Sequence, residues 1–306
     1  MKTITKIFSV FAIISICLFA TGQKASAQQA TVSLQLFYDE LSPHGRWVNY
    51  PQRGYVWMPY ADAGFSPYGT RGHWVFTEYG WTWVSDYSWG WAPFHYGRWD
   101  RDDRYGWFWK PDTHWGPAWV NWRRGNGYYG WEPMEPGENA GGGYHGRNFN
   151  RNERWLFVKD RDVARPDVNN YYINRSNNVT IIKNSTVINN TQINNNTKVR
   201  YVNGPKKEDV QKSSGQPVNQ VKVRAADKPG QTTNKNELQI YKPKVVDKNS
   251  DGKKPEPAKI TPLKNQKPVQ QNNKNANQNK PQVKQEAGKP NQQKKQVQKQ
   301  NKKPPQ

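Results

Sequence analysis

Tryptophan and tyrosine are the residues of this sequence whose type and spacing could do chemistry. The stretch 79–99 reads YGWTWVSDYSWGWAPFHYGRW and contains five Trp among its 21 residues. Flat rings of this kind stack on sugars and nucleic-acid bases, and they also fill hydrophobic cores. The rings near glycine-rich turns are the best candidates for a ligand-stacking surface: Tyr87, Trp89, Trp91, Tyr96, Tyr128 and Tyr129.

Most of the rings are nevertheless expected to form the core. Between positions 43 and 146 the chain has 29 aromatic residues, but five Val and no Leu or Ile. A buried ring removes roughly 150–250 Å² from water, whereas a handful of valines at about 1.5–3 kcal/mol each cannot offset the entropy of ordering such a region. We therefore expect the rings to be core residues first, with some left half-exposed on the second face of a sheet.

Histidine and carboxylate residues are a second possible source of chemistry. His73, His95 and His114 could form a zinc cluster, although no two His have the close spacing of a metal motif. Glu78 and Asp86 flank one predicted hairpin and could form a glycosidase pair, but only their proximity supports this. The chain has no P-loop, no G-x-S-x-G and no Cys after residue 27. The sequence predicts no enzyme, no catalytic residue, no metal site and no cofactor.

The elements that must position these residues are β-hairpins. Aromatic residues two apart, as at Trp81 and Trp83, share one face of a strand. Such runs alternate with turns rich in Gly, Asn and Asp at intervals typical of all-β domains. The acidic and basic run 100–104 is expected at a polar hairpin tip. The predicted fold is all-β: a Trp/Tyr-rich meander of about four β-hairpins, as a small barrel or sandwich, followed by a long disordered basic tail.

The N-terminus has the pattern of an export signal. Lys2 and Lys6 precede an apolar run from Ile7 to Ala20, and Ala25-Ser26-Ala27 offers a cleavage site. We expect residues 1–27 to be a signal peptide and the protein to be exported to the periplasm, cell envelope or extracellular space. No later segment has the length of a membrane span, so no transmembrane span is predicted after cleavage.

Three regions follow the predicted signal peptide. Residues 28–160 are the aromatic-rich hairpin domain. Residues 161–204 are an Asn/Thr-rich extension with a predicted short helix near Pro166 and Asp167 and β-prone segments at 179–182 and 186–189. Residues 205–306 contain 24 Lys/Arg against 8 Asp/Glu and a single aromatic residue, Tyr241. This composition predicts a disordered tail, because it offers too little apolar surface to offset ordering.

The aromatic pattern also carries a resemblance. The runs FYDELSPHGRWV from Phe37, GYVWMP from Gly54, YGWTWVS from Tyr79 and WGWAPFHYGRW from Trp89 resemble an exported bacterial family catalogued as domain of unknown function 6600. The resemblance covers about residues 37–136. It implies secretion and a Trp/Tyr/Gly-rich β module, and it implies no activity, ligand or catalytic residue.

The leading functional prediction is a non-enzymatic cell-envelope protein. Its rigid aromatic module would be held to anionic envelope polymers, such as peptidoglycan, lipopolysaccharide or acidic polysaccharide, by the cationic tail. The first alternative is a carbohydrate- or peptidoglycan-binding module that uses exposed Trp and Tyr. A further alternative is an extracellular nucleic-acid binder, which is possible but not favoured. The ligand and the oligomeric state stay open.

Overall fold

Alternation of aromatic and smaller residues gives this chain many short strands. The computed structural model describes residues 31–138, 140, 151–194 and 197–265, which are mostly β. The helices are α1 (Gln35–Leu41), α2 (Asn178–Lys183) and α3 (Lys207–Ser214). The strands of the aromatic region are β1 (Thr31–Ser33), β2 (Gly45–Tyr50), β3 (Gly54–Pro59), β4 (Gly72–Thr77), β5 (Gly80–Ser85), β6 (Arg98–Asp102), β7 (Gly106–Lys110), β8 (Val120–Gly125) and β9 (Tyr128–Pro133). The later strands are β10 (Leu156–Lys159), β11 (Thr186–Ile188), β12 (Thr191–Ile193), β13 (Arg200–Val202), β14 (Gln220–Ala225), β15 (Gln231–Thr233), β16 (Glu237–Ile240) and β17 (Lys244–Val246).

The predicted hairpins are confirmed as four antiparallel pairs: β2–β3, β4–β5, β6–β7 and β8–β9. Each hairpin places one Trp directly opposite another across its two strands. The pairs are Trp47–Trp57, Trp74–Trp83, Trp99–Trp109 and Trp122–Trp131. All eight rings are at most 2% exposed. Because directly opposite side chains stabilise a strand pair, this Trp pair fixes the register of each hairpin.

Three larger sheets share one aromatic core. Their strand orders are β2-β3-β7-β6, β10-β9-β8-β11 and β15-β16-β14-β4-β5. Rings connect them: the Trp74 centroid lies 4.7 Å from that of Trp122 in a second sheet, and the Trp57 centroid on β3 lies 5.0 Å from that of Trp89 in the loop after β5. Each sheet in the described ranges is open at its edges, so the barrel alternative is wrong. Ring packing between sheets, rather than closure of one sheet, forms the core.

The predicted start of the disordered tail, at Pro205, is too early. Residues 205–265 contain α3 and four strands, and they pack into the aromatic body. β14 runs parallel to β4, and β17 runs parallel to β1. The apolar side chains Val221, Val223, Leu238 and Ile240 are buried. The average composition of residues 205–306 did not reveal these four residues, because they are few and alternate with polar residues on two short strands. Residues 266–306, the rest of the predicted tail, lie outside the described residues.

The Asn/Thr-rich extension is partly as predicted. Residues 186–188 form β11, and a 3₁₀ turn covers Val168–Tyr171 near the predicted helix. The β-prone segment 179–182 is instead part of α2, so that prediction is wrong. In the helix Ile181 packs on Trp155 and Phe157, and this tertiary contact overrides local strand propensity.

All described residues fall in one compact unit. None of the helices in the described ranges is long and apolar enough to cross a membrane. The predicted signal peptide also lies outside the described residues.

Candidate functional surfaces

Four of the six candidate stacking rings are buried. Tyr96 is 0% exposed, Tyr129 1%, Trp91 2% and Trp89 5%. The expectation that these four rings present a face to solvent is therefore wrong. They lie within the main core cluster: Trp89, Trp91 and Tyr96 belong to the buried loop after β5, and Tyr129 lies on β9.

A segment of the chain covers the rings that were expected to be exposed. The ring of Tyr241 packs edge-on against Trp91, with centroids 5.1 Å apart. The hydroxyl of Tyr96 donates a 2.7 Å hydrogen bond to the carbonyl of Pro243. Tyr241, the single aromatic residue of 205–306, was the feature of the sequence that could have pointed to this contact, because a tyrosine ring packs well against other rings.

Lys242 enters an aromatic pair that sequence reasoning missed. Its ammonium lies 4.9 Å from the ring centroids of both Tyr79 and Trp115, and it donates a 3.2 Å hydrogen bond to the Tyr79 hydroxyl. The ring of His95 lies parallel to Trp115 at 5.7 Å. These rings hold a lysine of the same chain by cation–π attraction, so they act here as an internal contact.

Tyr87 and Tyr128 are half-buried and lie in different parts of the molecule. Tyr87 stacks on Trp89 with centroids 4.4 Å apart, and the Arg71 guanidinium lies 5.1 Å from its centroid. Tyr128 belongs to a separate cluster with Trp155 and Phe157. The two rings therefore do not form one continuous platform.

The three His considered for zinc have different surroundings. His95 is completely buried, its Nδ1 is 3.0 Å from the Gly116 carbonyl oxygen, and burial lowers its pKa to about 4. His114 is exposed and its Nδ1 lies 2.6 Å from Asp112. His73 is half-buried on β4, and burial lowers its pKa. Within the described ranges, no three His, Cys, Asp or Glu side chains are grouped so that they could hold a metal ion.

The two carboxylates considered as a glycosidase pair lie at opposite ends of β5. Glu78 precedes the strand and Asp86 follows it, so strand geometry separates them by about 25 Å, far beyond the roughly 5–10 Å of glycosidase pairs. Glu78 has a structural partner, because the backbone N–H of Val223 donates to both its oxygens at 3.2 and 3.0 Å. These carboxylates do not face one another.

A buried ion network occupies part of the predicted polar hairpin tip. Arg154, 8% exposed, donates to Asp100 at 3.0 Å and to Glu135 at 2.7 Å, and Arg53 donates to Asp100 at 3.1 Å. Burial raises the pKa of Asp100, although Arg154 opposes this. Asp100 is therefore a structural residue on β6, and the tip itself is the turn at 103–105. The network holds the third hairpin to the chain before β10.

The comparisons with known proteins give one family match and no function. Residues 38–138 match the model of a family of unknown function (DUF6600), which spans all four hairpins. No curated protein and no solved structure matches the chain.

Proposed function

We propose that the protein is a non-enzymatic anchoring protein of the cell envelope. The family of unknown function (DUF6600) whose model matches residues 38–138 supplies no activity. The aromatic body is a rigid scaffold. The cationic segment after residue 265 makes the functional contact with anionic envelope polymers. The envelope setting rests on the predicted signal peptide.

The observation that carries this proposal is the distribution of charge relative to the folded body. Residues 31–265 contain 33 Lys/Arg and 23 Asp/Glu, whereas residues 266–306 contain ten Lys and one Glu. Several body charges are already paired internally, as in the Arg154 network. The excess is +10 over the 235 residues of the body and +9 over the last 41 residues, so its density is about five times higher in the last 41. Attraction to a polyanion should therefore be strongest there.

Burial of the rings supports the charge-based reading over the stacking one. Of the six candidates, only Tyr87 and Tyr128 keep accessible surface beyond a few per cent. A carbohydrate platform built from these six rings would need them exposed on one surface, but four are buried and the two half-buried ones lie in separate clusters.

The test is binding of the full chain to purified sacculi and to a non-glycan polyanion, polyglutamate, across a salt series. One variant changes six tail lysines to Gln: Lys284, Lys289, Lys294, Lys295, Lys299 and Lys302. A matched variant makes the same charge change at exposed lysines of the body: Lys159, Lys183, Lys222, Lys228, Lys235 and Lys254.

We expect the tail variant to lose at least tenfold in affinity for both polymers and the body variant to lose much less. Wild-type binding should weaken steeply between 0.1 and 1 M salt, since the Debye length falls from ~10 Å to ~3 Å. Equal losses in the two variants would overturn the assignment to the tail. Salt-resistant binding to sacculi alone would favour glycan recognition instead.

A further inference from the structure

One stretch of the described body combines two short strands with an uncharged sequence. Residues 184–194 read NSTVINNTQIN and have no charged residue, no Pro and no Gly. They include β11, the last strand of its sheet, and continue directly into β12. Uncharged β-prone segments without Pro are the sequence type that pairs with other copies when its edge is left open.

The apolar exposure of the body is concentrated near this stretch. Val187 is 44% exposed and Ile193 45%, and Val179 on the preceding helix is 44% exposed. These are three of the five large apolar side chains that are exposed in the described ranges; Tyr60 and Ile260 are the others. The exposed side chains on β11 and β12 would gain from burial in an interface.

The segment is also held in place before any partner arrives. Arg123 on β8 donates to the Ser185 hydroxyl and carbonyl, each at 2.9 Å, and to the Ile182 carbonyl at 3.2 Å. β11 pairs with β8 from Thr186 to Ile188. A strand fixed along one edge presents its other edge at little further entropic cost.

Four of the other five edges of the three larger sheets in the described ranges are covered or charged, and the fifth, β15, is the uncharged three-residue strand Gln231–Thr233. On β5, the amide of Trp81 donates to the Asn203 carbonyl and that of Trp83 to the Pro117 carbonyl. On β2, the Trp47 carbonyl accepts from Thr261, and on β10 the Phe157 carbonyl accepts from Ile173. β6 has the sequence RWDRD. Natural edge strands are protected by such devices, and β11 has none of them among the described residues.

We propose that residues 184–194 form a self-association edge, and that its occupant is the same segment of a second copy in antiparallel, two-fold symmetric pairing. The charge of the chain favours a second copy at this position. The body has 33 Lys/Arg against 23 Asp/Glu, and each copy adds ten Lys after residue 265, so two copies repel on average and meet at least electrostatic cost where charge is absent. Such pairing would bury Val187, and the Asn and Thr side chains along the stretch can hydrogen-bond across it.

The pairing has a salt dependence opposite to that of polymer binding. Salt screens repulsion between two basic chains, so self-association should increase with ionic strength, whereas attachment to polyanions should decrease. A test can therefore contradict self-association without contradicting polymer binding, and the reverse.

The experiment is sedimentation velocity on the full chain over a protein concentration series at 0.05 and 0.5 M salt. The key variant is Val187→Lys, and its matched control is Ile260→Lys, which adds the same charge at an equally exposed apolar site on the C-terminal segment. We expect a reversible dimer for wild type and Ile260→Lys, increasing with salt, and at least a tenfold weaker association for Val187→Lys. Ile193→Lys is the second edge variant if Val187→Lys loses its near-ultraviolet circular dichroism.

Hydrogen exchange identifies the contact. We expect amides of residues 186–193 to gain protection as wild-type concentration rises. Wild type that stays monomeric at every concentration and salt would overturn the proposal, as would equal association of the edge variants and Ile260→Lys.

Discussion

At the residue scale, the core indoles combine packing with hydrogen bonding. Trp57 Nε1 donates to the Leu41 carbonyl at 2.9 Å, Trp109 Nε1 to the Tyr96 carbonyl at 2.7 Å, and Trp131 Nε1 to the Tyr68 carbonyl at 2.8 Å. Each accepting carbonyl belongs to a loop or helix end outside the hairpin of its Trp. A buried carbonyl must find a donor, and a Leu or Phe core could not supply one. This explains why tryptophan, rather than an aliphatic residue, fills these sites.

The indole hydrogen bond can be tested with two buried tryptophans. Trp109 and Trp83 are both 0% exposed, but Trp83 Nε1 has no hydrogen-bond partner among the described residues. We expect Trp109→Phe to lower the free energy of unfolding by about 1–3 kcal/mol more than Trp83→Phe, because it leaves the Tyr96 carbonyl unsatisfied. Urea denaturation of both variants measures the difference. Equal losses would mean that ring volume alone matters.

His95 gives the stability of the body a defined pH dependence. Burial lowers its pKa to about 4 in the folded state, against about 6.5 when unfolded. Between these pH values the unfolded chain binds a proton at His95 that the folded chain does not bind. The free energy of unfolding therefore decreases as the pH falls from about 6.5 to about 4. The expected loss from this group is on the order of 3 kcal/mol.

The pH prediction is checked by subtracting the stability curve of His95→Asn from that of wild type. Asn can still donate to the Gly116 carbonyl but does not titrate. The wild-type advantage should shrink between about pH 6.5 and 4 and then level off. A difference that is constant with pH would contradict the assignment to His95.

At the element scale, the first three hairpins share a glycine two residues before the first paired Trp. A Cβ added to Gly45 would lie 2.4 Å from Trp57, one added to Gly72 would lie 2.7 Å from Trp83, and one added to Gly97 would lie 2.7 Å from Trp109. The indole of the second strand therefore lies against the bare backbone of the first. In the fourth hairpin Val120 stands at this position, so the arrangement differs there.

Two glycine variants separate this close approach from backbone strain. Gly97 and Gly127 both have positive φ, +64° and +78°, but a Cβ at Gly97 would lie 2.1 Å from the Lys110 carbonyl whereas one at Gly127 has nothing within 4 Å. We expect Gly127→Ala to cost about 1–2 kcal/mol from conformation alone. Gly97→Ala should cost about 1–3 kcal/mol more from overpacking. Thermal or urea unfolding measures both, and similar losses would show that the close approach is easily relieved.

At the scale of the whole molecule, the region 205–265 completes the body. Trp81 Nε1 donates to the Pro205 carbonyl at 2.9 Å, Tyr241 covers Trp91, and Leu263 packs on the outer face of β2, β3 and β7. These contacts come from residues far apart in sequence, so the body is a single interdependent structure rather than a hairpin domain with appended pieces.

Truncation tests this boundary. Residues 28–265 should unfold cooperatively with a midpoint close to that of the full chain without its predicted signal. Residues 28–204 should lose cooperativity or unfold well below it, because Trp81, Trp91 and Tyr96 would lose their covering segment. Thermal unfolding followed by near-ultraviolet circular dichroism compares the three chains. A 28–204 fragment as stable as 28–265 would contradict an integral role for residues 205–265.

The sequence by itself determined the hairpins, their number and the ring-filled core, because these follow from period-two patterning, turn residues and the scarcity of aliphatic residues. Only the tertiary structure decided which rings remain exposed to solvent and that the folded body extends past residue 204. Trp91 and Tyr96 have the spacing of surface rings, yet a segment about 150 residues later covers them. Val179 to Ile182 have strand propensity, yet they form a helix over Trp155. Burial depends on contacts between distant parts of the chain, and local composition does not contain that information.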